Sequence, residues 1–370
     1  MNAITFRRVG FAVFVLLSGV ASEAWGQVQY TVTDLGPGSA NAINDSGQVV
    51  GQNGASHAFL YSNGSTQDLG TLFGDAYSCA KGINNSGQIV GYSENSNNVG
   101  HAFLYSNRTM QDLGTFGGEE SFAYGINDSG QVVGNADSSS NENAFLYSGG
   151  TMQSLTTPAD FSYATGINNS GQIVGGASNS SGNVFAFFYS GGTMQILGAL
   201  PDYTYGSNAT GINDSGQIVG WAYAGAGDFA RAFLYSNGTM QDLGTFGHYT
   251  YGSTATGIND SGQIVGWAYD NTGARAFLFN DGSMQDLNSM LLPNTGWTLT
   301  EANAINDKGQ ICGQGINPSG QTDAFLLTPT PEPSTFALLS AGAVALLAGA
   351  WRRRQSAKAG KGGNQRPTTE

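Results

Sequence analysis

The stretch Gly211-Ile212-Asn213-Asp214-Ser215-Gly216-Gln217-Ile218-Val219-Gly220 is written, with small changes, seven times in the 370-residue chain. Ile43, Ile83, Ile126, Ile167, Ile212, Ile258 and Ile305 mark the copies, at spacings of 40, 43, 41, 45, 46 and 47 residues. An Ala-Phe phrase follows each one: HAFLYS at 57 and 101, NAFLYS at 143, FAFFYS at 185, RAFLYS at 231, RAFLFN at 275 and DAFLLT at 323. Six copies then close on a phrase like Met-Gln-Asp-Leu, near Leu69, Leu113, Leu155, Leu197, Leu243 and Leu287. The apolar runs are short and separated by turn chemistry. Asn-Asp-Ser-Gly supplies residues that tolerate left-handed backbone and bond to it locally, and Asn63-Gly64 and Asn237-Gly238 are two-residue hairpin signals. Each copy therefore reads as four antiparallel strands: a ending at Ile-Asn, b on Gln-Ile-Val-Gly, c on the Ala-Phe phrase and d on Met-Gln-Asp-Leu.

Four strands in about 43 residues, repeated, is the size of a propeller blade that must hide both faces against neighbours. Strand c agrees, since Phe277 and Phe279 point one way and Leu278 the other, leaving no polar face. The last copy lacks strand d. Tyr30-Thr31-Val32-Thr33-Asp34-Leu35-Gly36 precedes the first Ile-Asn and ends on the same Asp-Leu-Gly as strand d. The expectation is an all-β, seven-bladed β-propeller of four-stranded antiparallel blades, closed by the N-terminal strand completing the last blade. An open β-solenoid is the rival, but its coils run shorter and need caps that the chain does not show.

Composition fits and narrows the function. Gly occupies 56 positions and charged residues only 11%, which suits turns rather than amphipathic helices, while 40% hydrophobic residues suffice for a core. Thirteen bases against 26 acids give −13; within 27–330 only Lys81, Arg108, Arg231, Arg275 and Lys308 oppose 23 acids, a net of −18. Such a body repels polyanions, so nucleic acid is excluded as a partner. Cys79 and Cys312 read as apolar core residues; a disulfide between them is the alternative in an exported chain.

The two ends read as addresses. Residues 1–26 have the form of a signal peptide: Arg7 and Arg8, an apolar run from Val9 to Ala21, and Ala24-Trp25-Gly26 as the cleavage site. Ser334 to Trp351 is an uncharged stretch of marginal spanning length, followed by Arg352, Arg353 and Arg354, which would stay on the cytoplasmic side. Pro331, Glu332 and Pro333 stand directly before it, and this order resembles the PEP-CTERM sorting signal of Gram-negative bacteria. The resemblance implies a membrane-embedded exosortase as processing partner, transient anchoring in the inner membrane through the C-terminal helix, and release to the cell surface or extracellular matrix; a permanent tail anchor is the alternative. The expected organisation is signal peptide 1–26, repeat domain 27–330, sorting signal with transmembrane helix 331–354 and a basic disordered tail 355–370. The repeats themselves resemble the HAF-repeat family of extracellular bacterial proteins through His57-Ala58-Phe59 and His101-Ala102-Phe103, across all seven copies. Five copies replace the His, so it carries no shared chemistry.

In a four-strand meander the a–b and c–d turns share one end and the b–c turns and d-to-a connections the other. The first set barely changes between copies; the second varies in length and sequence, as a recognition surface or drifting loops would. An aromatic recurs in the variable connections: Tyr77, Tyr124, Tyr163, Tyr205, Tyr251 and Trp297. Beside Asp75, Glu119, Asp160 and Asp202 these rings could stack on sugars, or they serve as wedges between blades. No catalytic residue, metal ligand or cofactor is expected. His57, His101 and His248 are scattered, and Glu119 and Glu120 would point apart. The functional expectation is an exported, non-enzymatic binding or structural protein, with exopolysaccharide or a surface protein as partner. The alternative is a propeller enzyme, a polysaccharide lyase or glycoside hydrolase.

Overall fold

The computed structural model describes residues 28–330 apart from 75–76, 140, 156–160, 226–228 and 250. The segments expected as signal peptide, sorting signal with transmembrane helix, and basic tail lie outside the described residues, as do Asp75 and Asp160. Tyr30–Pro329 form one compact unit. Of the second unit only residues 28, 29 and 330 are described; there the Thr330 amide and hydroxyl both donate to the Gln29 carbonyl, at 2.8 and 3.0 Å. Among the described residues no helix is long and apolar enough to cross a membrane.

The fold is all-β and propeller-like, and its sheets correct the expected architecture. Among the described residues there are six sheets, five of four strands and one of seven, and none closes into a barrel. Seven separate four-stranded blades are therefore not what forms. The seven-stranded sheet runs Thr298–Ile305, Ile311–Ile316, Thr322–Pro329, Tyr30–Ile43, Val49–Asn53, Ala58–Ser62 and Ser65–Gly70, which merges the first and last copies. Its cause is the 14-residue strand Tyr30–Ile43: residues 30–37 pair with Thr322–Pro329, and residues 38–43 pair with Val49–Asn53. Gly36 and Gly38, at φ 88° and 131°, let the backbone pass from one ladder to the next without breaking the strand. From sequence alone Tyr30–Gly36 reads as a strand that stops, which hides the merger.

Packing occurs between neighbouring copies. One core cluster joins Val219, Ala232 and Leu243 of the fifth copy to Ala255, Ile264 and Phe277 of the sixth. The phenylalanine of every Ala-Phe phrase is buried: Phe59, Phe103, Phe145, Phe187, Phe233, Phe277 and Phe325. Each contributes on the order of 2 kcal/mol of apolar burial. A serine latch adds direction. Ser253, fully buried, accepts from the Ala232 amide at 3.1 Å and donates to the Gly244 carbonyl at 2.6 Å, tying strand a of the sixth copy to strands c and d of the fifth. Ser78 and Ser207 make the same pair of bonds one copy apart.

Strand a carries a β-bulge in every copy, at Asn41, Lys81, Tyr124, Thr165, Thr210, Thr256 and Asn303. A bulge re-aims the extra side chain, and here five of the seven reach the next copy's backbone. Thr210 donates to the Ala255 carbonyl at 2.8 Å, Thr256 to Ala302 at 2.6 Å and Asn303 to Ala40 at 2.8 Å, with Asn41 and Thr165 bonded likewise. Opposite the bulge stands the last glycine of Gly-Gln-Ile-Val-Gly. At Gly220 a Cβ would fall on the Asn208 carbonyl oxygen, and at Gly266 on that of Thr254, so no side chain fits.

Candidate functional site

The repeated Asn is the hub of a circuit. The Asn213 Oδ1 accepts from the Gln217 amide at 2.9 Å, and its Nδ2 donates to the Gln217 Oε1 at 2.8 Å and to the Asn259 carbonyl of the next copy at 3.1 Å. All seven copies repeat the inter-copy bond, from Asn44 to Asn84 onward, until Asn306 donates to the Asn44 carbonyl at 2.9 Å. These asparagines are at most 5% exposed, which leaves the amides no solvent alternative. The phrase is therefore more than a turn: Gly216, at φ 77°, closes the turn, Gln217 buffers the amide, and Asn213 links the copies.

The residue after each Asn forms a second circuit at the mouth of a cavity of about 190 Å³, lined by the seven Ile-Asn-Asp or Ile-Asn-Asn triplets. In order around it stand Asp45, Asn85, Asp128, Asn169, Asp214, Asp260 and Asp307. Each backbone amide donates to the next side chain's Oδ1, at 2.8–3.1 Å. The two asparagines separate charges: Asn85 Nδ2 donates to Asp45 and Asp128 at 3.0 and 3.1 Å, and Asn169 to Asp128 and Asp214 at 3.3 and 2.9 Å. No side-chain amide separates Asp214, Asp260, Asp307 and Asp45. Burial, and then the negative charges of Asp260, Asp45 and Asp214, push the Asp307 carboxyl above its usual range. This ring was not anticipated; its only trace in the sequence is the exchange of Asp for Asn at 85 and 169.

The six aromatics expected as binding residues do not occupy one register. They stand six, two, four, seven, seven and eight residues before the Ile of their copies. Tyr77 stacks on Tyr92 at 5.8 Å, their hydroxyls 3.4 Å apart, with burial pushing the Tyr92 phenol far up. Tyr124 is the bulge residue of its strand and Tyr163 packs edge-on to Phe161 at 5.5 Å; burial raises both phenols to about 12. Trp297 is half-buried, edge-on to Phe325 at 6.3 Å. Tyr205 and Tyr251 are different: they are 40% and 38% exposed, Tyr205 tilted on Tyr223 at 5.6 Å and Tyr251 stacked on Phe229 at 4.7 Å and 29°. Phe229, 48% exposed and not singled out from the sequence, comes from the b–c turn of the fifth copy. Four wedge-like rings and two exposed ones are thus what the register offset produces.

The two histidines of the His-Ala-Phe phrase sit elsewhere, His57 Nδ1 at 2.9 Å from Asp68 and His101 Nδ1 at 2.7 Å from Asp112. A cluster on the third copy places Asn135, 3% exposed, as donor to Glu142 at 2.5 Å. Burial and then Asp137 and Glu120 raise that carboxyl. Cys79 and Cys312 are buried free thiols, the second pushed up to about 12 by burial.

A family model described as the PEP-CTERM protein-sorting motif matches residues 329–354. No curated protein matches the chain. Among solved structures, TolB from Acinetobacter baumannii is similar at 10% identity and a TM-score of 0.45, over 81% of this chain and 65% of that one. A puromycin-hydrolyzing peptidase of Mycobacterium tuberculosis gives 10% and 0.49, over 78% and 49%, so the chain spans about half its length. A triple arginine mutant of AofleA from Arthrobotrys oligospora gives 14% and 0.41, over 71% and 90%. The HAF-repeat resemblance gains no support from these comparisons, whereas the sorting motif marks a protein that is exported and sorted, as an exosortase substrate signal does.

Proposed function

We propose that the protein is a surface-sorted binding protein without catalytic role, which holds a matrix component or surface protein on the end formed by its b–c turns and d-to-a connections. The observation that supports this most is the sorting motif at 329–354 on a body whose variable end displays exposed aromatic rings. At the opposite end the a–b turns commit their asparagine side chains and backbone amides to the two circuits, which tie copies together. The rigid ladder beneath suits loops that differ from copy to copy.

Two measurements test this. Removal of residues 331–354 leaves export intact but abolishes surface retention in fractionated cells; unchanged surface display would sink the sorting role. For the binding face, both native thiols are buried, so an introduced cysteine can be labelled selectively. A bulky maleimide at Ser180→Cys, in a b–c turn, reduces retention of extracted matrix material, and the same label at Thr239→Cys, at a c–d turn, does not. Equal effects at the two ends would remove the variable end as the binding face.

A further inference from the structure

The fifth and sixth copies share a pair of phrases that the other five lack. Gly-Trp-Ala-Tyr stands at 220–223 and again at 266–269, and Tyr-Gly-Ser at 205–207 and again at 251–253. The structure brings each pair of phrases together. Trp221 lies 5.4 Å from Tyr223, which lies 5.6 Å from Tyr205. One copy on, Trp267 lies 5.1 Å from Tyr269, and Tyr269 5.9 Å from Phe229, which stacks on Tyr251.

The rings are held by backbone. Gly252 is the floor under Tyr269: a Cβ there would come within 2.5 Å of the phenol oxygen, and Gly206 stands to Tyr223 in the same way. The Tyr269 hydroxyl accepts from the Ala230 amide at 3.1 Å, fixing the ladder against the strand that Phe229 precedes. At the outer end Tyr205, Phe229 and Tyr251 remain 38–48% exposed. The preorganised rings lose little freedom when they bind.

We infer that these two ladders form a binding site for an uncharged polysaccharide, with Tyr205, Tyr251 and Phe229 as the platforms on which pyranose rings stack. This deepens the surface-binding reading and rests on it. Three features select the ligand. The large apolar side chains exposed here are aromatic, and flat ring faces match the C–H faces of a sugar. Similar ladders, the second with Phe229 as an added rung, are built on two consecutive copies, as a ligand that itself repeats would use. The body is strongly acidic, with five basic residues against 23 acids over 27–330; Arg231, which donates to the Tyr203 hydroxyl at 2.8 Å, and Arg275, which donates to the Ala274 carbonyl and lies over Tyr249, are each held by neutral groups. The net charge of the body therefore disfavours a polyanion.

The test is affinity electrophoresis of the full chain in detergent against dextran, xyloglucan and mixed-linkage β-glucan. At least one glucan retards the chain, and about 0.5 M NaCl leaves the effect in place, since no ion pair is involved. Phe229→Ala and Tyr251→Ala each weaken the interaction about ten-fold, while Ile196→Ala, an exposed aliphatic outside the ladders, leaves it unchanged. Circular dichroism and melting confirm that the variants stay folded. Equal retardation of parent and aromatic variants, or binding that salt abolishes, overturns the assignment. So does the absence of retardation by all three glucans. If the chain still retains matrix material in that last case, the saccharide site falls and the surface-binding reading stands.

Discussion

Replacing Asp307 by Asn should stabilise the protein, although it removes a charge from a ring whose carboxylates all accept hydrogen bonds. Asp307 lies between Asp260 and Asp45, with no side-chain amide on either side. At the two ring positions that hold Asn, the side-chain amide bridges both neighbouring carboxylates at 2.9–3.3 Å. In Asp307→Asn the new side-chain amide would gain two such bonds, and its Oδ1 would still accept from the Asp260 amide. Both bonds are solvent-exposed, so about 0.5 kcal/mol each is reasonable, or about 1 kcal/mol together. For a body of this size that raises Tm by about 1.5–2 °C. The pH dependence fixes the sign independently. The folded-state carboxyl of Asp307 is raised above its ordinary 3.8, so its favourable contribution is complete below that value and is lost as pH climbs through the raised one. The advantage of Asp307→Asn should therefore be small near about pH 3.5, grow above it, and level off by neutrality. Differential scanning fluorimetry across that range measures it, with Asp128→Asn as the mirror control. Asp128 accepts from the amides of both Asn85 and Asn169, so the same chemical change there should cost about 1 kcal/mol. A gain of equal size at the acidic and neutral ends of the range, or the same sign for both variants, would refute the charge-separation argument.

Gly220→Ala should be among the most damaging substitutions, costing about 3 kcal/mol or more, because the new methyl lands on the Asn208 carbonyl of the bulge and neither strand can yield; urea denaturation would show a lower midpoint with an unchanged slope. Asn213→Ala removes one acceptor and two donor bonds from a buried amide, about 3 kcal/mol, and Asn213→Asp should be no better, since a carboxylate would face the Asn259 carbonyl. Thr256→Val should lose about 1 kcal/mol with its bond to the Ala302 carbonyl, whereas Thr256→Ser keeps it, and comparing their melting temperatures separates the hydroxyl from its methyl.

How much of this could be read from the chain depends on the range over which each interaction acts. Turn positions and the burial of the Ala-Phe phenylalanine follow from local periodicity, and the seven copies made that signal redundant. The merger of first and last copies was hidden because it turns on the reach of a single 14-residue strand. Gly36 and Gly38 could be read as the end of a strand or as a passage between two ladders, and only the partners on both sides decide. The bulge conceals the binding face in the same way. It inserts one residue into strand a, so Tyr124 takes the bulge position that Thr165, Thr210 and Thr256 occupy in later copies, and an aromatic near the Ile-Asn is no guide to where its ring points. The signal that would have found the exposed platforms was available as a pairing rather than as a position. Tyr-Gly-Ser recurs only where Gly-Trp-Ala-Tyr follows, because the glycine of one phrase makes room for the tyrosine of the other. Two phrases that change together across copies report a contact, and here the contact is what brings Tyr205 and Tyr251 to the surface.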